Sequence, residues 1–357
     1  MTRLYLIRHA EAEGNIYRRL HGQFDAGVTP NGLLQIAALE KRFEGVPVDA
    51  VWSSDLYRTR RTAEALYKPK GLPLHTDPRF REVHVGTWED LPFGLLERTD
   101  PEGLRAFARD PEHWLAPGAE TFEEYSGRFA AALTELAQAN EGKTLAVFTH
   151  GCVLSGGLHR LLGLPHDASR ADNTSVSLLE YENGAFSPVF LYDNSHLSEA
   201  ISTRARQRWW RQQGGKFNLW YRDPEPADAG LYDPDWTPTP GDRTWIACLG
   251  EEAVGYASVS ETGLAALWLK PEFRHRRFGD QLFGQAALYL RRRGVTELSF
   301  AVPADDAGAL AFFAHLGGVP VETEGGRTLF RMAFAVPPVK KQIAEGKTQN
   351  GLTREFR

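Results

Sequence analysis

The stretch LYLIRHAEAEGN at residues 4–15 decides the fold of the first half of this 357-residue chain. Its apolar and aromatic residues lead directly into Arg8 and His9, a pattern that predicts a buried strand ending in polar side chains. The stretch TLAVFTHG has the same pattern and ends its strand at His150. Ligands of parallel α/β sheets bind at the carboxyl ends of the strands. We therefore expect these three side chains to meet at one edge of a sheet.

Helical and extended patterns alternate between these strands. Apolar residues at helical spacing follow a Pro-Asn-Gly turn signal at residues 30–44, and a second helical pattern covers residues 121–139. VDAVWSSD predicts a strand, LYRTRRTAEALY predicts the helix after it, and NTSVSLLEYENGAFSPVFLY predicts a hairpin that turns at Asn183-Gly184. The alternation predicts an α/β domain with a mostly parallel sheet.

The composition changes after about residue 198. A segment rich in Arg, Gln and Trp, STRARQRWWRQQGGK, is followed by the Pro- and Asp-rich DPEPADAGLYDPDWTPTPGD. From Thr244 a new set of strands begins, with a helix at about residues 279–293. We therefore predict domains at residues 1–203 and 204–335, followed by a polar, basic and disordered tail at residues 336–357.

Composition excludes several classes of protein. The formal charge of −5 gives no overall attraction to nucleic acid or to a membrane, so we expect neither as a partner. Only Cys152 and Cys248 are present, so there is no disulfide framework. No apolar stretch is long enough to span a bilayer, and charges interrupt the N-terminal segment at once. These features predict a cytoplasmic protein.

Two further residues complete a candidate site in the first domain. SSDLYRTRRTAE places Arg58 at the start of a helix, where backbone amides favour anions. FREVHVGTWED supplies Glu82 in a region with little periodicity, which predicts a loop. Each residue alone is ordinary, because single histidines and arginines are more often structural or solvent-facing. The joint pattern of two histidines, two arginines and a carboxylate favours a catalytic site.

Residues 3–198 resemble the histidine phosphatase superfamily, which includes phosphoglycerate mutases and small-molecule phosphatases. The resemblance rests on LIRHAEAEGN, HGQFDAGVTPNG, SSDLYRTRRTAE, FREVHVGTWED, PGAETFEEYSGR, VFTHG and DNTSVSLLEY, in that order. It implies a three-layer, phosphoglycerate mutase-like α/β fold. It also implies that His9 is the nucleophile, that Arg8, Arg58 and His150 bind the phosphoryl group, and that Glu82 is the proton donor. The positions that line the substrate site by this resemblance are Asn15, His21 and Gly22.

The residue types suit phosphoryl transfer without a metal or cofactor. A neutral His9 can carry the phosphoryl group, and guanidinium groups can bind its charged oxygens in pairs. A mutase must exclude water, usually with extended loops over the site, and the stretch between Glu82 and Pro117 is modest. We therefore expect a phosphomonoesterase that acts on a small phosphate ester. The alternative is mutase-type phosphoryl transfer.

Residues 215–335 resemble the GNAT family of acetyl-CoA-dependent N-acetyltransferases. The resemblance rests on WLKPEFRHRRFGDQLFGQAALYLRRRG and LSFAVPADDAGALAFFAHLGG. It implies a smaller α+β acyltransferase fold that binds acetyl-CoA and an amine acceptor. The expected cofactor-binding residues are Arg274, Arg276, Arg277, Phe278, Gly279 and Asp280. Three positions depart from the family pattern: Arg277 replaces a glycine, Asp306 stands where asparagine is common, and Phe313 replaces a tyrosine that can protonate the departing thiolate.

Three interpretations of the whole chain follow. The first is a phosphatase fused to a working acetyltransferase. The second is a phosphatase whose other domain only binds a ligand or partner. The third is a scaffold without enzymatic activity, and the complete set of candidate catalytic residues in the first domain speaks against it.

Overall fold

The computed structural model describes residues 1–166, 171–208, 216–233, 236–261 and 263–334. The predicted tail at residues 336–357 lies outside these ranges. By internal contacts the chain divides into two compact units, Met1–Asn218 and Leu219–Arg357. The domain limits that the sequence predicts, at residues 203 and 335, stay predictions.

The first unit combines a central sheet with surrounding helices. Its strands are β1 Thr2–Arg8, β2 Arg19–Leu20, β3 Ala50–Ser53, β4 Leu74–Thr76, β5 Leu91–Pro92, β6 Thr144–Thr149, β7 Val176–Glu182 and β8 Ala185–Asp193. Its helices are α1 Glu13–Tyr17, α2 Pro30–Arg42, α3 Tyr57–Tyr67, α4 Phe93–Thr99, α5 Pro101–Arg109, α6 Phe122–Ala139, α7 Gly151–Leu162 and α8 Thr203–Arg206. Short 3₁₀ turns at Pro78–Phe80 and Gly86–Trp88 occupy the region that the sequence predicts as a loop.

The six-stranded sheet has the order β4-β3-β6-β1-β7-β8. Strands β4, β3, β6 and β1 run parallel, and β7 and β8 form an antiparallel hairpin at one edge. The hairpin turns at Asn183 and Gly184, both with positive φ as a two-residue hairpin loop requires. The predicted mostly parallel sheet and its hairpin are confirmed. Strands β1 and β6 lie side by side with Arg8 opposite Thr149, so His9 and His150 follow at the same edge.

Alternating side chains of β1 divide the core into two layers. Leu4 and Leu6 pack with Phe129 of α6 and Leu154 of α7 on one face of the sheet. Ile7 packs with residues of α2 and α3 on the other face. Helices on both faces of a mostly parallel sheet give the three-layer α/β architecture.

The second unit is smaller and α+β. Its strands are β9 Trp220–Arg222, β10 Arg243–Leu249, β11 Glu252–Val259, β12 Leu264–Leu269, β13 Glu297–Pro303, β14 Val319–Glu324 and β15 Arg327–Ala333. Its helices are α9 Phe278–Arg292 and α10 Ala307–His315, with 3₁₀ turns at Pro226–Leu231 and Pro271–Phe273. The strands form two antiparallel sheets with the orders β12-β11-β10-β9 and β13-β15-β14. Strands β9, β14 and β15 were not predicted from the sequence.

No helix in the described ranges is both long and apolar enough to cross a membrane.

Candidate active site

A cavity of about 260 Å³ lies where β1 ends in the first unit. Its wall contains the predicted catalytic residues Arg8, His9, Arg58 and Glu82, together with the predicted substrate residues Asn15, His21 and Gly22. His150 is not part of the wall, but its ring centroid lies 5.2 Å from that of His9. The structure thus brings the predicted residues of the first domain together in one place.

His9 is held as a neutral imidazole with one nitrogen open. Its Nδ1 lies 2.7 Å from the carbonyl oxygen of Ala10, which can only accept, so Nδ1 carries the proton. Burial, with the charges of Arg58 and Arg8 nearby, holds the pKa of His9 well below its usual range. Nε2 of the neutral ring therefore has an unprotonated lone pair, as a nucleophile requires.

His150 begins α7 as its N-cap residue and is fully buried. Its Nε2 lies 2.9 Å from Oγ of Ser54, and that oxygen already accepts from the backbone N–H of Leu56. When the Ser54 hydroxyl donates to Nε2, the proton of the neutral ring lies on Nδ1. Burial, with the charges of Arg58 and other neighbours, holds the pKa of His150 well below its usual range. The Nδ1 atom has no partner within the described residues.

Arg8 is oriented by the segment before β7. Its Nη1 donates to the carbonyl oxygen of Ala171, whereas its buried Nε has no partner within the described ranges. A Cβ at Gly151 would lie only 3.3 Å from Cζ of Arg8, so glycine at the start of α7 gives the guanidinium its room. Buried donors are nearly always paired, so the orphaned Nε of Arg8 and Nδ1 of His150 indicate an acceptor that a ligand would bring.

Arg58 lies in the first turn of α3 and is 3% exposed. Its Nη1 donates to the carbonyl oxygen of Phe24 at 3.0 Å, and its Nη2 donates to that of Gly22 at 2.7 Å. Gly22 has φ +53°, and a Cβ there would collide with the carboxylate of Glu89. The predicted substrate residue Gly22 therefore positions Arg58 through its backbone.

Glu82 is fixed against the start of α7. Its Oε1 accepts from the backbone N–H groups of Val153 and Val83, at 2.8 and 3.0 Å. Its Oε2 accepts from that of Cys152 at 3.0 Å. A carboxylate oxygen has two lone pairs, so Oε2 keeps one of them open. That lone pair is the position at which Glu82 can hold a proton.

The remaining predicted substrate residues line the same cavity. Asn15 accepts at Oδ1 from the backbone N–H of Ala12 at 2.9 Å, which orients its amide group. His21 pairs through Nε2 with the buried carboxylate of Asp90 at 3.3 Å. Burial lowers the pKa of His21, although the neighbouring Asp90 carboxylate opposes this shift. Within the described residues no group of three or more His, Cys, Asp or Glu side chains is arranged to hold a metal ion.

Sequence reasoning missed several residues of this site. Asn173 donates through Nδ2 to the carbonyl oxygen of His9 at 3.0 Å, and Ser54 supports His150. Both residues lie in motifs on which the family resemblance rests, so the sequence contained a signal that could have identified them. Arg204 and Gln207 also line the cavity, but they lie in a segment that reads as a boundary between domains.

The predicted cofactor residues of the second unit lie between the end of β12 and the first turn of α9. Arg277 is the N-cap of α9 with φ 63°, and its Nη1 donates to Oδ2 of Asp280 at 3.1 Å. Arg274 donates to the carbonyl oxygen of Leu269, and Arg276 packs over the Phe278 ring. These contacts occupy part of the basic cluster before any ligand binds.

Two of the predicted cofactor residues point inward. Phe278 is fully buried and Asp280 is 3% exposed, so only their backbone amides can serve a ligand. A Cβ at Gly279 would lie 2.8 Å from the Phe312 ring, so this glycine allows close packing of α9 against α10. Phe313 is 5% exposed and packs against Phe300 with ring centroids 4.3 Å apart. The residue at the tyrosine position is therefore part of the core.

Comparisons with known proteins agree with this division. Residues 4–194 match the family model of the histidine phosphatase superfamily (branch 1), and residues 204–317 match that of the acetyltransferase (GNAT) family. The probable phosphoglycerate mutase GpmB of Yersinia pestis is 32% identical over 185 residues, which cover 51% of this chain and 86% of the relative. GpmB of Salmonella choleraesuis is 31% identical over the same coverage. The solved structure of Bacillus stearothermophilus YhfR has a TM-score of 0.53 and 30% identity, and the match covers 56% of this chain and all of YhfR.

Proposed function

Because the chain belongs to the histidine phosphatase superfamily, we propose that its first unit hydrolyses a small phosphomonoester through a phosphohistidine at His9. The observation that carries this proposal is the pair of orphaned donors, Nε of Arg8 and Nδ1 of His150, beside the open Nε2 of His9. A phosphoryl group bound there would supply the missing acceptors. Its charge would be balanced by Arg8 and Arg58.

The first step transfers the phosphoryl group to the protein. The Nε2 lone pair of His9 attacks phosphorus, and the bond from phosphorus to the ester oxygen breaks. Protonated Glu82 gives its proton from Oε2 to the leaving oxygen, which departs as an alcohol. The carbonyls of Gly22 and Phe24 hold Arg58, and Ala171 holds Arg8, so the donors need no rearrangement during the reaction.

The second step returns the protein to its starting state. The Glu82 carboxylate takes a proton from water at Oε2, and the resulting hydroxide attacks phosphorus. The bond from phosphorus to Nε2 breaks, inorganic phosphate leaves, and His9 regains its lone pair. Glu82 ends protonated, ready for the next ester.

Water as the acceptor distinguishes a phosphatase from the alternative, a mutase. The cavity wall includes exposed Arg204, so solvent can reach the site. The curated relatives with about a third of their residues identical are named probable phosphoglycerate mutases, which keeps mutase-type transfer as the alternative.

We expect release of inorganic phosphate from p-nitrophenyl phosphate to persist unchanged in excess chelator, because arginine and histidine donors balance the phosphoryl charge. Phosphate and p-nitrophenol should appear in equal amounts. Loss of activity on chelation, restored by a divalent cation, would contradict the mechanism. Interconversion of phosphoglycerate isomers without net phosphate release would favour the mutase alternative.

For the second unit we propose binding of acetyl-CoA at the start of α9, with slow transfer to an amine. The first turn of α9 has no side-chain cap, and Arg277 adopts the left-handed conformation that glycine favours. Backbone amides at such a turn can bind a pyrophosphate. Strands β12 and β13 are edges of separate sheets, so their outer backbone groups can pair with the amides of a ligand. Transfer should be slow because Phe313 cannot protonate a thiolate.

Acetyl-CoA should raise the melting temperature of the transition that reports on the second unit. A ligand at 100 times its Kd stabilises the native state by about 2.7 kcal/mol. S-acetylpantetheine is the matched control, because it lacks the pyrophosphate and should produce a much smaller shift. No shift at millimolar acetyl-CoA would favour the alternative in which this domain is only an interaction module.

A further inference from the structure

The segment at residues 201–207 follows the matched phosphatase region, yet it is anchored on the catalytic unit. The hydroxyl of Thr203 donates to Oε2 of Glu11 at 2.8 Å and accepts from Nε2 of Gln35 at 2.9 Å. The hydroxyl of Ser202 donates to Oδ2 of Asp172 at 2.6 Å. All five side chains are at most 5% exposed, so this is a buried polar network and not a loose surface contact.

This anchoring fixes one arginine at the cavity wall. The backbone N–H of Arg204 donates to Oδ1 of Asp172 at 3.1 Å, which holds its Cα beside the site. Next to it, Gln207 donates through Nε2 to the backbone carbonyl of Asn15 at 3.1 Å. Arg204 and Gln207 both line the same cavity as His9.

Arg204 is exposed, and its guanidinium forms no hydrogen bond or ion pair within the described part of the chain. Its neighbour Arg208 pairs with Glu199 at 3.2 Å. Arg8 and Arg58 are held in place by backbone carbonyls. Arg204 is therefore a cation at the cavity wall without an acceptor among the residues that the structure describes.

Charges along the wall favour a second anion. Among the described residues that line the cavity, five are arginines and two, Glu82 and Asp172, are acids. One of the arginines, Arg19, is paired with buried Asp90 at 2.8 Å. Both oxygens of Asp172 already accept from Ser202, Arg204 and other donors. In the proposed first step Glu82 is protonated, so the four arginines other than Arg19, together with Asp172 and a bound phosphoryl dianion, leave the wall with a net charge of +1.

We infer that Arg204 is a specificity-determining residue that binds a second anionic group, a carboxylate or a phosphate, at the far end of the substrate. The inference rests on the proposed phosphatase function and names its substrate class: small phosphomonoesters that carry a further acidic group. Arg204 takes no part in breaking the ester bond. It should stabilise the bound substrate and the transition state equally. Its loss should therefore raise KM more than it lowers kcat.

The experiment compares matched substrates on the full-length protein. Phosphoglycolate, 3-phosphopropionate and 4-phosphobutyrate are paired with ethyl, propyl and butyl phosphate, which lack only the acid. Propane-1,3-diol bisphosphate forms a further arm that distinguishes a phosphate from a carboxylate. For each chain length, the kcat/KM of the acidic substrate is divided by that of its alkyl partner. The chain length with the highest ratio reports how far the second anion lies from the reacting phosphorus.

Arg204→Gln should lower kcat/KM for the acidic substrates by about 10- to 100-fold, the effect of losing a hydrogen bond between charged groups. Values for the alkyl phosphates should be unchanged, and Arg204→Lys should recover part of the preference. Arg208→Gln is the matched control, since Arg208 does not line the cavity, and it should leave both series unchanged. High salt should weaken the preference of the wild type for acidic substrates.

Two results would overturn the inference, and they differ from a failure of the proposed function. Equal losses for acidic and alkyl substrates in Arg204→Gln would assign Arg204 a general structural role. An unchanged preference in that variant would place the second anion elsewhere. No turnover of any phosphomonoester by the wild type would instead overturn the proposed function, and the inference with it.

Discussion

Substitution of His9 by alanine should abolish both turnover and the phosphorylated intermediate. Loss of a nucleophile commonly costs on the order of 10⁶-fold in kcat, because the remaining groups cannot form the covalent bond. Wild-type protein quenched in alkali during turnover should carry an acid-labile phosphate on the peptide that contains residue 9. Mass spectrometry of that peptide measures the intermediate directly.

A control variant and a measurement of stability make this test specific. His113 is exposed and pairs with Asp110, so His113→Ala is a control that should keep full activity and full labelling. Both variants should melt close to the wild type, since His9 is oriented by backbone groups that remain. Phosphate that persists on His9→Ala protein would assign the nucleophile elsewhere, with neighbouring His150 examined first.

Glu82→Gln should produce a loss that depends on the leaving group. Alkyl phosphates need a proton at the departing oxygen, so their turnover should fall by about 10²- to 10⁴-fold, the usual contribution of a general acid. p-Nitrophenyl phosphate leaves as a stable anion, so its first step should change little. A plot of log kcat/KM against the pKa of the leaving alcohol should be steeper for the variant.

The hydrogen bonds of Glu82 determine which controls this test needs. A glutamine amide would place its NH₂ group near the backbone N–H of Cys152 or Val153, which costs stability on the order of 1–3 kcal/mol. Thermal melts must therefore show that the variant is folded at the assay temperature. Glu123→Gln makes the same chemical change at an exposed position and should be silent. Equal losses for alkyl and aryl esters would show that Glu82 positions α7 and does not transfer a proton.

The parts of this fold that could be predicted from the sequence have regular periodicity and strong end signals. α2 begins at Pro30 after Thr29, whose hydroxyl accepts from the backbone N–H of Gly32, and α6 begins after Thr121 with a complete capping box. In the second unit, the strand VPVETE before Gly325-Gly326 was missed because Pro320 interrupts a short run, which argues against a strand, and the structure shows that all its residues are exposed.

The site residues that lie at strand ends could be predicted from the sequence. Those contributed by segments far along the chain could not. His9 and His150 follow adjacent parallel strands, so their approach is a consequence of the sheet order. Phe313 could not be placed from the sequence, because a motif position does not reveal whether a ring faces a ligand or the core. Arg204 could not be assigned either, since only the buried contacts of Ser202 and Thr203 bring it to the cavity.

The anchored segment at residues 201–207 also bears on how the catalytic unit could be excised. Sequence similarity ends the phosphatase match at residue 194 and begins the acetyltransferase match at residue 204, so both borders fall inside the compact unit Met1–Asn218. A fragment cut at residue 194 would remove the hydroxyl that Thr203 donates to buried Glu11 and the one that Ser202 donates to buried Asp172, and it would remove Arg204 and Gln207 from the cavity wall. A fragment that ends at Asn218 keeps these donors and also the bond from Nε of Arg18 to Oδ1 of Asn218. The limits of the family matches and the limit of the compact unit therefore fall at different residues of this chain.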